Sequence, residues 1–155
     1  MEAKYSKLAR EQLDKKLKRI KPLSELRPPK KGWIRAIRDA LGMTGEQLAL
    51  RIDTNRQRVA RIERDEKLGS VSLKTLRNVA DGMDCVFVYG FVPKDSLEQT
   101  VRKQARLVAE KRMSRSDQLM RLEKQELSET EKQDALKSLI EDISNTMPKS
   151  LWDTV

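Results

Sequence analysis

A short stretch in the middle of the chain combines residues that can hydrogen-bond to nucleic-acid bases: Asn55, Arg56, Gln57, Arg58 and Arg61. Arginine can donate two parallel hydrogen bonds to O6 and N7 of guanine, and glutamine can pair with N6 and N7 of adenine. On a helix, these side chains would occupy the N-terminal half, where the positive end of the helix also favours phosphate. They are therefore candidates for reading a DNA major groove. The alternative interpretation is a solvated, charged face on an ordinary helix.

The surrounding sequence predicts two short helices joined by a tight turn within residues 43–66. Thr44 stands where it can cap the first helix, and Asn55 where it can cap the second. Between them, Asp53 can adopt the left-handed backbone of a turn. Apolar residues at helical spacing supply the buried faces. They are Leu48, Ala49 and Ile52 in the first helix, and Val59 and Ile62 in the second.

This segment resembles the repressor-type (Cro/XRE) helix-turn-helix over roughly residues 33–83. The residues that carry the resemblance are Thr44, Glu46, Leu48, Ala49, Ile52, Val59, Ile62 and Glu63. The resemblance implies an ion pair between Arg38 and Glu63. Two positions depart from the family pattern, because Asp53 replaces the usual turn glycine and Gly45 replaces a glutamine that often binds phosphate. The backbone N–H of Gly45 can still serve that contact.

Polar and basic residues around the two helices are candidates for contacts with DNA phosphates. Two of them end a basic, proline-containing arm that could track phosphates, or that is simply a solvated linker. Others occupy the expected loop over residues 67–70 and the start of the following helix, which Ser72 would cap. The full set is Lys30, Lys31, Thr44, Gln47, Arg64, Lys67, Ser70 and Lys74.

Composition points to a polyanionic partner and away from catalysis. The 155 residues carry a net charge of +9, and residues 1–40 contain 13 basic against 5 acidic side chains. No histidine and only one cysteine, Cys85, are present. The sequence therefore predicts no zinc site, no intrachain disulfide, no catalytic residues and no cofactor. With six aromatic residues in the chain, single-stranded RNA is a weaker candidate than duplex DNA.

The predicted fold is mainly α-helical with four regions. Residues 1–31 form a basic amphipathic helix and an arm, and the helix is expected to pack on a second copy or on another protein. Residues 32–84 form the helix-turn-helix domain, and residues 85–93 a strand. Residues 94–155 form a helical extension with helices over about 96–113 and 116–126 and a third after Ser128. Trp152 in the tail either folds back or anchors a partner.

The predicted strand has no second strand to pair with in its own chain. Its apolar members are Val86, Phe87, Val88, Tyr89 and Phe91. Because a lone strand leaves its backbone hydrogen bonds unmade, we expect the same segment of a second copy to pair with it. This gives a two-fold homodimer, and hence an inverted-repeat operator in double-stranded DNA. The arrangement is similar to that of antitoxins of HipA-type kinases.

Three longer segments resemble the mobile mystery protein A family over roughly residues 7–125. They are PPKKGWIRAIRDALGMTGEQLA, SLKTLRNVADGMDCVFVYGFVPKDSLEQTVRKQA and MRLEKQE. The resemblance implies an antitoxin-like repressor that binds its own operator and partners a Fic-domain toxin. Two features depart from this picture. Asp117 or a neighbour replaces a histidine usual in the family, and no glutamate is followed by glycine or asparagine, as in the inhibitory helix of better-known Fic antitoxins.

An interaction module that mainly sequesters a partner toxin, with little specific DNA binding, is the alternative function.

The N-terminus lacks the apolar region of a signal peptide, and no apolar run approaches the length of a membrane span. Both features favour a cytoplasmic protein without a membrane partner.

Overall fold

The computed structural model describes residues 2–122 and 127–153. This part of the chain contains seven α-helices and no assigned strand, which confirms the mainly helical fold class. Short 3₁₀ turns occupy Lys21–Glu25 and Lys149–Trp152. The helices are α1 (Glu2–Ile20), α2 (Trp33–Ala40), α3 (Gly45–Arg51), α4 (Arg56–Leu68), α5 (Leu73–Gly82), α6 (Leu97–Leu122) and α7 (Glu129–Thr146).

The chain divides into two compact units. The central unit comprises Pro22–Gly90 and contains α2 to α5. The terminal unit combines Met1–Lys21 with Phe91–Val155 and contains α1, α6 and α7.

The core of the central unit is built from the apolar positions that the sequence pattern indicates. Leu48 is fully buried, and Val59 is 2% exposed. Burial of such side chains contributes about 1.5–3 kcal/mol each, so these contacts fix how α3 and α4 pack. The buried cluster consists of Ile34, Leu48, Ala49, Ile52, Val59, Ile62, Val79 and Met83.

The helix starts of this unit are set by local capping. Thr44 Oγ1 accepts a hydrogen bond from the Gln47 N–H at 3.1 Å, and Asn55 Oδ1 accepts one from the Arg58 N–H at 2.8 Å. Both predicted caps are therefore present. The turn between α3 and α4 passes through Asp53 at a φ of 54°, the left-handed conformation that the sequence predicts there. Ser72 caps α5 in the same way, accepting from the Thr75 N–H at 3.1 Å.

The core of the terminal unit lies where α6 meets α7 and the C-terminal 3₁₀ turn. Small residues of α6 allow the two helices to approach closely, and Ile143 of α7 is 1% exposed. The tail folds back through Leu151, which is buried and whose carbonyl accepts a hydrogen bond from Gln104 Nε2 at 2.9 Å. Trp152 is 56% exposed, so Leu151 is the buried residue of the tail. The buried cluster is Val101, Ala105, Ala109, Ile143 and Leu151.

Helix α1 packs against α6 and α7 of its own chain. Asp14 accepts hydrogen bonds from the N–H groups of Leu97 at 2.8 Å and Glu98 at 3.2 Å. Arg10 forms an ion pair with Glu98 at 3.1 Å. The sequence analysis expects a second copy or another protein against α1, whereas in the structure helices of the same chain contact it and Leu8 and Leu13 stay exposed. Tyr5 remains 69% exposed.

Three further expectations differ from the structure. Helix α6 is continuous across residues 113–116, because no proline or glycine interrupts it there. Residues 123–126 of the second predicted helix lie outside the described residues. Lys67 belongs to the last turn of α4, because the helix ends at Leu68 and is capped by left-handed Gly69.

The strand predicted over residues 85–93 is not assigned in the structure, since the described chain supplies no second strand to pair with.

No helix within the described ranges is long and apolar enough to cross a bilayer.

We predict that Gly82→Ala destabilises the central unit. A Cβ atom at this position would lie 2.4 Å from Ile52 Cγ2 and 3.2 Å from Leu48 Cδ1, so α5 would have to move away from α3. Overpacking of this kind costs about 1–3 kcal/mol. Thermal and denaturant unfolding measure the change. Gly45→Ala is the matched control, because its nearest atom would be an ordinary 3.8 Å away, and equal stability of the two variants would contradict the prediction.

Candidate nucleic-acid interface

The outward face of α4 carries a stripe of exposed residues at helical spacing. Gln57, Ala60, Arg61 and Arg64 follow one another at i, i+3, i+4 and i+7, and all four are exposed. This spacing places them on one side of a helix. The opposite side holds the buried Val59 and its core neighbours. Sequence reasoning missed Ala60, whose methyl group can contact the methyl of thymine.

Two of the predicted base-reading arginines lie on the flanks of this stripe. Helical geometry puts Arg56 and Arg58 each about 100° from Gln57, and both are exposed. Within the described part of the chain, the side chains of these two arginines, Gln57 and Arg61 have no ion-pair or hydrogen-bond partner. Asn55 caps the helix through Oδ1, which leaves its amide NH₂ as the donor it could offer to DNA.

An ion pair holds α4 to α2. Arg38 Nε lies 2.7 Å from Glu63 Oε1, and a second guanidinium nitrogen of Arg38 donates to the Met43 carbonyl at 2.7 Å. Both side chains are largely buried, at 13% and 11% exposed. The hydrogen bond to Glu63 raises the pKa of Arg38 above its ordinary value, against the opposing effect of burial. The ion pair that the family resemblance implies therefore joins the last turn of α2 to the inner face of α4.

A second carboxylate of α4 caps α2, and sequence reasoning missed it. Glu66 Oε1 accepts from the Trp33 N–H at 2.9 Å, and Oε2 accepts from the Ile34 N–H at 3.1 Å. The residue before α2 is Gly32, at a φ of 83°. A Cβ atom there would lie 2.7 Å from Glu66 Oε2, so glycine leaves room for the carboxylate. Two features of the sequence could have indicated this contact. The start of α2 has no capping side chain of its own, and Glu66 lies one turn after Glu63 on the same face of α4.

Several predicted phosphate contacts already have roles within the protein. Gln47 Oε1 accepts from the Thr44 N–H at 2.7 Å, which completes a capping box. This leaves the Gln47 amide NH₂ free to donate outward. Ser70 Oγ donates to the Asp65 carbonyl at 3.3 Å, so it helps to end α4. Arg64 has only a loose contact with Asp65, at 3.7 Å.

Lys31 is partly neutralised by its own chain. Its Nζ donates to Asp39 Oδ2 at 3.2 Å. This hydrogen bond, together with the charges of Lys31, Arg38 and Arg35, lowers the pKa of Asp39 against the opposing effect of desolvation. Asp39 thus stays ionised at neutral pH and competes with phosphate for Lys31. Lys30, Lys67 and Lys74 are exposed and have no acidic partner among the described residues.

The exposed groups of this interface are suited to binding. No cluster of three or more potential metal ligands occurs among the described residues. The arrangement presents hydrogen-bond donors and positive charge on a rigid helix, which suits recognition of a duplex.

Comparison with known families agrees with this geometry. A family model described as helix-turn-helix matches residues 34–86. These residues form an XRE-type helix-turn-helix domain. No curated protein and no solved structure matches the sequence. Within the helix-turn-helix domain, α3 and α4 are the two helices that the name describes, and α4 has the position of the DNA-reading helix. A domain of this type is characteristic of DNA-binding regulators and is not typically enzymatic.

We predict that Glu66→Ala destabilises the helix-turn-helix domain by about 1 kcal/mol, because it removes the cap from the N–H groups of Trp33 and Ile34. Chemical denaturation followed by tryptophan fluorescence measures the change. Glu46→Ala serves as the matched control, because Glu46 is exposed in the first turn of α3 and makes no such contact. If Glu46→Ala lost as much stability as Glu66→Ala, the capping role of Glu66 would be contradicted.

Proposed function

We propose that this protein is a sequence-specific, DNA-binding transcriptional repressor that acts as a homodimer. The observation that carries the proposal is the outward stripe of α4, whose Gln57 and Arg61 side chains are exposed and unpartnered among the described residues. The helix behind them is fixed by Glu63 and Glu66, so the donors are presented in one orientation. A rigid helix with free donors is the arrangement that direct readout of base edges needs.

The roles of individual residues follow from their positions. Gln57 and Arg61 contact bases, while Arg56 and Arg58 on the flanks contact base edges or the adjacent backbone. Asn55 lies at the helix start. The phosphate contacts are assigned to the surrounding exposed donors. These are Lys30, Lys31, Thr44, Gln47, Arg64, Lys67, Ser70 and Lys74.

Dimerisation through residues 86–91 supplies the second reading helix. Val86 is 87% exposed, Val88 is 65% exposed and Phe91 is 85% exposed. Such apolar exposure at several positions of one short segment is unusual for a free surface. No backbone hydrogen bond joins residues 86–92 to any other described residue, so their N–H and C=O groups are available to a second copy. Antiparallel pairing of two such segments would make the contact two-fold symmetric.

The order of this segment comes partly from the domain itself. The rings of Phe87 and Tyr89 stack, with centroids 6.1 Å apart. The Arg77 guanidinium of α5 lies 5.9 Å from the centre of the Tyr89 ring. These contacts hold one side of the segment near α5 and leave Val86 and Val88 facing outward, where a partner strand can cover them.

A two-fold dimer fits an inverted-repeat operator. The two copies of α4 would occupy successive major grooves about 34 Å apart. Binding to such a site near its own promoter would make the protein an autoregulator.

The resemblance to mobile mystery protein A supports a narrower role within this proposal. The protein would be the antitoxin of a toxin-antitoxin module, with a Fic-domain toxin as its partner. The terminal unit is separate from the helix-turn-helix domain, which would let one chain hold DNA and a toxin. The alternative function is sequestration of a partner protein with little specific DNA binding. In that case the terminal unit would bind the partner, and α4 would not be needed for reading DNA.

We predict that Arg61→Ala weakens binding by about 1–3 kcal/mol and relaxes preference at one base pair of each half-site. Lys74→Ala, which removes an exposed cation at the start of α5, should instead weaken binding to all DNA sequences by the same amount. Selection of duplexes from a random pool by the wild-type protein, followed by titration of single-base variants, measures both. Failure of the wild type to enrich any sequence would contradict specific binding and favour the interaction-module alternative.

We predict that Val86→Lys combined with Val88→Lys converts the dimer to a monomer, because like charges would face each other across the paired segments. Sedimentation equilibrium measures the mass, and binding to a whole inverted repeat should fall to that of a half-site. Val86→Thr with Val88→Thr is the matched control, since threonine keeps the preference for strand structure. A wild-type protein that is monomeric at micromolar concentration would contradict the proposed dimer.

A further inference from the structure

The C-terminal half of α1 carries a concentrated positive charge that no described residue neutralises. Lys15, Lys16, Lys18 and Arg19 lie within five consecutive positions and are all exposed. None of them has an ion-pair or hydrogen-bond partner within residues 2–122 and 127–153. We call these four residues the α1 basic end.

Three acidic side chains near the α1 basic end already have partners, and Glu11, one turn before Lys15, is the exception. Asp14 is occupied by the N–H groups that begin α6. Glu98 is paired with Arg10, and Asp95 is paired with Lys103. These three carboxylates are committed to contacts within the unit. The single carboxylate of Glu11 cannot balance four cations, so net positive charge is left for an external anion.

The two ends of the terminal unit differ in how their charges are paired. The contact of Asp14 with Leu97 places the α1 basic end beside the start of α6. The other end of the α6–α7 pair holds an open groove whose lining includes three carboxylates. They belong to Glu110, Asp117 and Glu129. Each of these carboxylates is paired with a cation, either Arg106 or Lys132. The charges of this groove are therefore largely balanced, whereas those of the α1 basic end are not.

The chain connection restricts where the α1 basic end can go. It is joined to the helix-turn-helix domain through a 3₁₀ turn over Lys21–Glu25 and five further residues before Lys31. At about 2.0 Å per residue in a 3₁₀ turn and about 3.4 Å in extended chain, this connection spans at most roughly 27 Å. That reach is somewhat less than one turn of B-form DNA, about 34 Å.

We propose that the α1 basic end binds backbone phosphates of the duplex immediately beside the half-site held by α4. This inference rests on the proposed DNA-binding function and adds a second, sequence-independent contact to it. Duplex DNA offers a phosphate charge about every 1.7 Å along its axis, so a short basic helix face within reach can neutralise several. The bound flank would lengthen the protected DNA without changing which sequence is preferred.

An anionic membrane surface fits the same residues less well. A helix that lies on a membrane inserts an apolar face below its charged residues. The apolar residues that lie among these cations, Leu17 and Ile20, are half-buried in a helix that packs against α6 and α7. The exposed apolar side chains of α1, which are Tyr5, Leu8 and Leu13, all precede the α1 basic end.

The test uses full-length protein with Lys15→Gln, Lys16→Gln, Lys18→Gln and Arg19→Gln combined. The matched control replaces four exposed cations of α6 and α7 that also lack described partners, in Lys111→Gln, Arg112→Gln, Arg115→Gln and Lys137→Gln. Both variants lose the same charge. The probes are a duplex selected by the wild-type protein from a random pool, either as the bare inverted repeat or with about one helical turn of DNA added at each end.

We expect the α1 variant, and not the control, to lose about 10- to 100-fold in affinity for the flanked duplex at low salt. The slope of log K against log salt should become shallower by about 2–4 per subunit, since each lost phosphate contact removes about 0.9. The bare inverted repeat should show little difference between the variants, and the footprint of the α1 variant should be shorter.

Equal salt slopes for the α1 variant and its control on the flanked duplex would overturn this inference while leaving the proposed function intact. Unchanged DNA binding, with α1-dependent binding to phosphatidylserine vesicles, would overturn it in favour of a membrane surface. If the wild-type protein selects no sequence at all, the proposed function fails, and this inference fails with it.

Discussion

The helix-turn-helix domain depends on two carboxylates that α4 directs inward, Glu63 and Glu66. They are separated by one helical turn and contact opposite ends of α2. Glu63 pairs with Arg38, and Glu66 caps the first turn through the N–H groups of Trp33 and Ile34. A helix held only by apolar contacts could rotate to repack at modest cost. Two directional contacts separated along its length fix the rotation of α4, and hence the direction in which its outward stripe points.

The same device recurs in the terminal unit. Asp14 of α1 caps the first turn of α6, while Ser96 accepts from the Gln99 N–H at 3.1 Å. In both units an acidic side chain from one helix satisfies the unpaired N–H groups that begin another. This use of acidic residues has an electrostatic consequence. In a chain with 33 basic and 24 acidic side chains, committing carboxylates to internal contacts leaves the surface more positive than composition alone indicates.

Caps formed within one helix could be predicted from the sequence, whereas caps supplied by another helix could not. Caps formed within three residues, at Thr44, Asn55 and Ser72, were predicted correctly because donor and acceptor are set by local spacing. The buried faces of α3 and α4 were predicted from helical periodicity for the same reason. The caps from Glu66 and Asp14 were not, because each joins residues far apart in the chain. Their partners are determined only when the helices have packed.

Misjudged boundaries have a similar origin. The sequence analysis ends one helix near residue 113 and begins another at residue 116, whereas α6 continues through both positions. In the tail, the sequence analysis considers only Trp152, whereas Leu151 fills the space beside Ile143. Size and local propensity are weaker guides than the shape of the surface that a residue meets. The outward face of α4 can be identified more directly, because the buried residues of the helix define its opposite face.

Specificity and affinity are separated in the proposed mode of binding. A bidentate contact discriminates by about 1–3 kcal/mol, so the few donors on one α4 give a limited preference. Discrimination of 10³–10⁷ over other sequences, typical of specific regulators, requires the second α4 that a two-fold dimer supplies. The α1 basic end adds attraction that is the same for every sequence. Salt should therefore alter how tightly the protein holds DNA while leaving the order of preferred sequences unchanged, because the two contributions come from different helices.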